Sequence, residues 1–242
     1  MQMRAYRWRC KLMGPATGWE VVRAPLELST SSFDNQIRMD VVRTHPHDSW
    51  FDPHRESICQ LLNAFANTNI GFGYPQGLNF LVFPLWKVYY KSTPKWAMHD
   101  TFYSLQYLIG ELLSVYPVHK SDTAAAEQME LICAIVKLRS SRKHPQLRRK
   151  LFSQEFAPFV FSLVSKMVPT MFGNIYTVNN CIVLWDKMFK QESILEAAVQ
   201  SVVSLVCINH NAIRYLPLTD CMCVVQASAP HTLSRMYGEM YL

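Results

Sequence analysis

No apolar run in the 242 residues approaches the roughly 18 needed to cross a bilayer. The most apolar stretch, residues 197–208, is interrupted by Gln200, Ser201 and Ser204, so no transmembrane helix is expected. The N-terminal MQMRAYRWRCKLMG alternates basic and apolar residues without an apolar h-region, and is not read as a secretory signal. Seven cysteines, scattered and odd in number, leave Cys221 and Cys223 as the only close pair. That usage fits reduced, buried thiols in a cytosolic protein better than a disulfide framework. Sustained period-2 alternation is missing too, and with it any case for a sheet. No internal repeat and no low-complexity tract occurs.

Half of the residues are hydrophobic and 17% are charged, the balance of a folded globular chain rather than a disordered one. At this length the chain can bury one large core, or two lobes sharing one, so a single domain over 1–242 is expected. A net charge of +6 slightly favours acidic partners or an anionic surface but does not mark a nucleic-acid binder.

The apolar spacing is helical almost throughout. Ile58, Leu61, Leu62, Phe65 and Ala66 fall on one face at i, i+3, i+4, i+7 and i+8. Asp52-Pro53 is a start signal, and the turn formers at 67–71 should end that helix. A second helix is expected over 77–90, with Pro84 predicting a kink or break. Further helices are expected over 96–116, 124–138, 152–167, 178–189 and 194–207. Residues 14–36 lack the pattern and read as an irregular surface connection. The expected fold is all-α.

Two segments interrupt this regularity. In IRMDVVRT, the residues Ile37, Asp40 and Arg43 stand at i, i+3 and i+6, close to one side of a helix. Spacing alone is satisfied by an ordinary surface helix with an Asp/Arg pair worth under about 1 kcal/mol. In GFGYPQGLN, residues 71–79, three glycines and a proline surround Gln76. On its own this reads as a glycine-rich turn in which Gln76 merely neighbours a helix start.

Taken in order with VLWDKMF at 183–189, these segments resemble the TBC-domain family of Rab GTPase-activating proteins. The matching positions are Ile37, Asp40, Arg43 and Thr44, then Ala64, Asn69, Gly73, Tyr74, Gln76, Gly77 and Asn79, then Trp185, Asp186 and Phe189. The resemblance implies a two-lobed helical domain that activates a Rab-family small GTPase without being a self-contained enzyme. It also implies a place in vesicle-mediated transport, in the cytoplasm or peripherally on endomembranes. It assigns Arg43 and Gln76 as fingers that enter the partner's active site. GTP and Mg²⁺ would arrive on that partner, so no cofactor of the chain's own is implied.

The residue types suit the chemistry. A planar guanidinium can donate to two oxygens where phosphoryl charge develops. A glutamine can accept from the attacking water and donate to a phosphoryl oxygen without ionising. Ile37, Asp40, Tyr74, Trp185 and Asp186 are read as supports. Two departures stand out. Pro75 fills the variable position of Tyr-x-Gln, where it either stiffens the loop or tilts Gln76 away. Val178-Asn179-Asn180-Cys181 replaces the family's usual Leu-Pro ahead of the tryptophan, which bears on local geometry.

Two other clusters carry chemistry-bearing residues. His45, His47, Asp48, Asp52 and His54 resemble a metal site, but Pro46 and Pro53 break the spacing and no metal is expected; the histidines read as surface groups. Arg142, Lys143, Arg148 and Arg149 belong to a basic run over 139–150. They read as a solvated face or, functionally, as a contact for anionic lipid. No aromatic residues interleave with them, which disfavours nucleic acid. The remaining functional alternative is a catalytically silent helical module that binds a small GTPase or a trafficking scaffold.

Overall fold

The computed structural model describes residues 2–14, 26–116 and 123–239. Among these residues the regular structure is helical and no strand occurs, as the missing period-2 pattern required. The chain divides into two compact units, Met1–Leu113 and Ser114–Leu242.

The first unit contains α1 (Gln2–Met13), α2 (Asp34–Arg43), α3 (Arg55–Thr68), α4 (Leu78–Ser92) and α5 (Ala97–Leu112). α4 is its centre and packs on α1, α2, α3 and α5. Buried residues run almost unbroken from Leu78 to Tyr89, the signature of a helix enclosed on every side. Pro84 sits inside α4 without ending it. Pro84 is itself buried amid this packing, which offsets the one ladder hydrogen bond that proline cannot make.

The second unit contains α6 (Thr123–Lys143), α7 (Arg148–Leu151), α8 (Ala157–Met167), α9 (Val178–Met188), α10 (Ile194–Ile208), α11 (His210–Tyr215) and α12 (Leu218–Glu239). Here α10 plays the central part, packing on α6, α8 and α12. Ser193 caps it by accepting from the Glu196 amide at 3.2 Å.

Several expected bounds shift. The helix expected over 152–167 begins only at Ala157, because the Ser153 hydroxyl accepts from the Phe156 amide and Pro158 sits in the first turn. Residues 26–33 are irregular as expected, but 34–36, expected in the same connection, form the first turn of α2, where Asp34 pairs with Arg38 one turn on; residues 15–25 lie outside the described residues. α1 was not anticipated, although Ala5, Trp8, Arg9 and Leu12 are its buried residues at helical spacing. Arg9 hides the stripe by placing a cation on it.

That cation explains itself in three dimensions. Arg9 Nε donates to Asp100 Oδ2 at 2.7 Å; the two side chains are only 7% and 0% exposed. The guanidinium lies 5.2 Å from the Tyr89 ring centre, and the Tyr89 hydroxyl shares a 2.7 Å hydrogen bond with Ser104. Removing one partner strands a buried charge, so Asp100→Ala should destabilise the protein by about 3–5 kcal/mol. The Arg9→Met/Asp100→Leu pair should recover most of that loss. Urea unfolding of the three chains checks both statements.

Candidate functional site

α2 is short and presents opposite faces to opposite needs. Ile37 and Val41, one turn apart, are both 0% exposed and seat the helix on α3 and α4. Arg43 lies on its outer side with 67% of its side chain exposed. After α3 ends, the loop over 69–77 returns the chain to α4, with Gln76 exposed. Arg43 and Gln76 line one open cleft of about 210 Å³, together with Asp40, Thr44, Gly77, Asn79 and Phe80. Thirty-three positions of sequence separate two side chains that share one opening, and Pro75 has not turned Gln76 out of it.

Side chains from α2, the loop and α4 tie the cleft together. The Asp40 carboxylate accepts from Arg43 Nη2 at 2.9 Å on one oxygen and from the Tyr74 hydroxyl at 3.2 Å on the other. Burial, then the Asp40 charge, push the Tyr74 hydroxyl well above its ordinary range, so it stays a donor. Thr44 Oγ1 donates to the Asp40 carbonyl at 2.6 Å and accepts from Asn79 Nδ2 at 2.5 Å. α2 is thereby joined to the loop through Tyr74 and to α4 through Asn79. Thr44 and Asn79 matched the motifs by position, but residue type alone did not reveal that they bond to each other.

The loop's two constrained glycines have separate reasons. Gly77 stands at the start of α4 with φ +98°, a left-handed conformation costly to any residue with a Cβ. Gly73, at φ +65°, lies against Phe33, whose ring would stand 2.8 Å from an added Cβ. Phe33 immediately precedes α2, so the loop bearing Gln76 touches the start of the helix bearing Arg43. Nothing in the sequence pattern signalled Phe33. The same end of α2 is tied to α3 by Asn63, which donates to Asp34 Oδ1 at 2.7 Å and accepts from the Ser31 amide at 2.8 Å.

The histidines expected at the surface are differently placed. His54 is buried, its ring centre 4.2 Å from that of Tyr90. His45 turns the chain after α2 at φ +47° and packs against Phe80 and Phe83; only His47 is exposed. Aromatic packing, invisible in the local spacing, draws the two rings inward. Asp48 and Asp52 pair with Lys87 and Arg55. Among the described residues no group of His, Cys, Asp and Glu is arranged to hold a metal.

In the second unit, Trp185 is fully buried and donates its indole N–H to the Met171 carbonyl at 2.9 Å. Met171 and Phe172 both have positive φ, 43° and 67°, so the indole supports a left-handed turn after α8. Asp186 is half-buried beside it in sequence. Thr177, immediately ahead of the segment that departs from the family pattern, caps α9 by accepting from the Asn180 amide at 3.3 Å. The basic run is divided. Arg142 and Lys143 border a cleft of about 720 Å³ that also holds Arg139, Glu192 and Glu196, with Arg139 paired to Glu196. Arg148 and Arg149 are exposed on α7, while Lys150 turns back to the Leu216 carbonyl at 2.5 Å. No described helix is long and apolar enough to cross a membrane.

Comparison with known proteins bears on the whole arrangement. The model of the Rab-GTPase-TBC domain family matches residues 23–213. Human TBC1 domain family member 13 is 24% identical over 148 residues, which is 59% of this chain and 36% of that relative. The match thus covers about a third of the relative's length. The crystal structure of the Chlamydomonas flagellar RabGAP TBC domain superposes with a TM-score of 0.67 at 16% identity, covering 97% of this chain and 76% of that one. The Ypt/Rab-GAP domain of Gyp1p gives 0.68 at 17% identity, covering 99% and 79%. At such identities these structures speak for the fold.

The position of His45 also fixes a pH dependence. Burial holds its imidazole down at about 4, against an ordinary value near 6.5. The folded chain therefore keeps it neutral where the unfolded chain takes up a proton. Its contribution to stability is complete above pH 6.5 and lost as the pH falls from there toward 4. His45→Asn, which tolerates positive φ, should flatten the fall in stability across that window. Some slope should remain from His54, which burial also lowers. Urea midpoints between pH 7 and pH 4 check the difference.

Proposed function

The chain belongs to the Rab-GTPase-TBC domain family, and on that premise we propose that it is a GTPase-activating protein for a Rab-family small GTPase, supplying Arg43 and Gln76 in trans. The observation that carries this reading is the shared cleft, in which an exposed guanidinium and an exposed carboxamide stand on one opening. A module that only binds its partner has no need of that pair. GTP and Mg²⁺ belong to the partner in this reading, and the chain adds no covalent chemistry.

The roles follow from the charge that develops. Arg43 donates to the bridging and γ-phosphoryl oxygens as negative charge accumulates there. Gln76 accepts from the attacking water and donates to a phosphoryl oxygen, holding the nucleophile in line. Asp40 and Tyr74 orient without touching nucleotide. Ile37 seats α2 in the core, and Trp185 and Asp186 belong to the architecture of the second unit. The competing reading, a silent module binding a GTPase or a trafficking scaffold, predicts binding without stimulation.

Single-turnover GTP hydrolysis across a panel of Rab-family GTPases separates the two readings. On a responsive partner, Arg43→Ala should lose about 10³ to 10⁵ in rate, roughly 4–7 kcal/mol of barrier. Arg43→Lys should fail nearly as badly, since an ammonium lacks the planar two-point contact. Gln76→Ala should lose most stimulation while the encounter stays close to normal. A partner whose own water-orienting glutamine is changed to alanine should still be stimulated by the unaltered chain. Full activity of Gln76→Ala, with none on the altered partner, would make Gln76 a loop residue and leave Arg43 acting alone.

The basic run completes the proposal. No Asp or Glu occurs between Glu130 and Glu155, and Arg142, Lys143, Arg148 and Arg149 are exposed. We assign these four to contact with anionic lipid, each worth about 1 kcal/mol near a charged surface and less as salt rises. Replacing all four by glutamine should weaken sedimentation with phosphatidylserine vesicles and leave stimulation of a soluble GTPase unchanged. Equal sedimentation of both chains would return the run to a solvated face.

A further inference from the structure

We infer that Arg55 is a positioning residue for Arg43, holding the end of α2 so that the finger leaves the helix in a fixed direction. The inference rests on the finger reading above and concerns a residue that neither the motifs nor the family match singles out. Arg55 opens α3, with its side chain only 17% exposed. Its guanidinium reaches away from its own helix to three carbonyls at the end of α2. Nη1 donates to the Val41 carbonyl at 2.5 Å and to that of Thr44 at 3.1 Å. Nη2 donates to the carbonyl of His45 at 3.3 Å.

These three carbonyls bracket Arg43 in sequence, one before it and two after it. The Val41 carbonyl is among the last of α2, which have no partner within the helix and carry its negative end. Thr44 and His45 follow directly as the chain leaves the helix, so a planar cation with several donors suits the group. The chain at that point also needs holding, because His45 reverses it through positive φ. A cation gains nothing in the first turn of its own helix, where the macrodipole opposes it; its partners explain its presence. Asp52 Oδ1 accepts from Nε at 3.3 Å, and the Phe83 ring lies 5.9 Å away, so the guanidinium is itself fixed. By contrast, among the described residues Arg43 makes its side-chain hydrogen bonds only through exposed contacts, to Asp40 and the Met39 carbonyl. Its reach into a partner therefore depends on where its backbone is set.

The test compares Arg55→Gln and Arg55→Lys with the unaltered chain and Arg43→Ala, using a soluble GTP-loaded Rab-family GTPase that the unaltered chain stimulates. Misplacement of a catalytic group by about 1 Å costs on the order of 10²-fold in rate. Arg55→Gln should lose about that much at saturation with little change in the half-saturating concentration, and Arg55→Lys should fall between. If Arg55 acts through Arg43, the Arg43→Ala/Arg55→Gln double variant should be no slower than Arg43→Ala. Amide exchange of residues 43–45 in the free protein should be faster by ~10-fold or more in Arg55→Gln. Should Arg55→Gln melt too low to assay, Arg55→Lys carries the same comparisons. Undiminished stimulation by folded Arg55 variants would overturn the inference, as would a further loss in the double variant, an effect confined to half-saturation, or unchanged exchange at 43–45. Failure of the finger reading looks different: Arg43→Ala would match the unaltered chain, or no GTPase would respond, while the exchange measurement would still decide whether Arg55 holds α2.

Discussion

The site depends on one carboxylate that accepts from two segments at once. Asp40 takes the Arg43 guanidinium on one oxygen and the Tyr74 hydroxyl on the other. Its side chain is 16% exposed, between the full screening of the surface and the full desolvation of the core. In that setting a charge-assisted hydrogen bond exceeds a neutral one, and the charge need not be fully stripped of water. A glutamate would have the charge but not this reach, since its carboxylate stands one methylene farther from the backbone. An asparagine would keep the length and offer one acceptor oxygen where two are used.

The groups around Asp40 reconcile two opposed demands. Side chains that are to act on another molecule must be exposed, and exposed side chains contribute little to holding themselves in place. The chain answers by fixing the backbone beneath them. α2 is seated by Ile37 and Val41, tied at its start by Asn63 and joined near its end to α4 through Thr44 and Asn79. The loop before α4 is set by the buried Tyr74 and by the close approach of Gly73 to Phe33. A side chain at position 73 would push that loop from the start of α2, so the two candidate fingers share a packing constraint as well as a hydrogen-bonded one.

How much of this could be read from the sequence follows from the range of each interaction. The helices of regular period, α3 and α9 among them, were legible because burial of one face repeats every 3.6 residues. α1 was not, because its stripe includes Arg9, whose partner is 91 positions away. Of the kink or break that Pro84 predicted, the break does not occur: the local penalty of proline is certain, while the packing that offsets it is tertiary. At the site, the identity and order of Arg43, Tyr74 and Gln76 were legible through the family resemblance. The bond between Thr44 and Asn79, the inward-packed ring of His45, the buried ring of His54, and the part taken by Phe33 all required the fold. Each is a contact between residues tens of positions apart, or a packing choice that residue type leaves open.

The energetics of Arg43 fit the proposed role better than a tighter arrangement would. Its pair with Asp40 spans three residues on one helix face and its guanidinium end is mostly exposed, so it stabilises the free protein by about 1 kcal/mol or less. Leaving Asp40 therefore costs little beside the roughly 4–7 kcal/mol that an arginine finger contributes to the barrier. A buried pair, such as Arg9 with Asp100, would have to give up several kcal/mol on release and would consume most of that advantage. In that role the weak pair is still useful, because it would keep the guanidinium near the cleft and reduce the rotamer freedom to be lost on binding a partner. The same chain thus uses one ion pair to lock its core and another, of the same residue types, that in the proposed role parks a side chain weakly enough for it to leave.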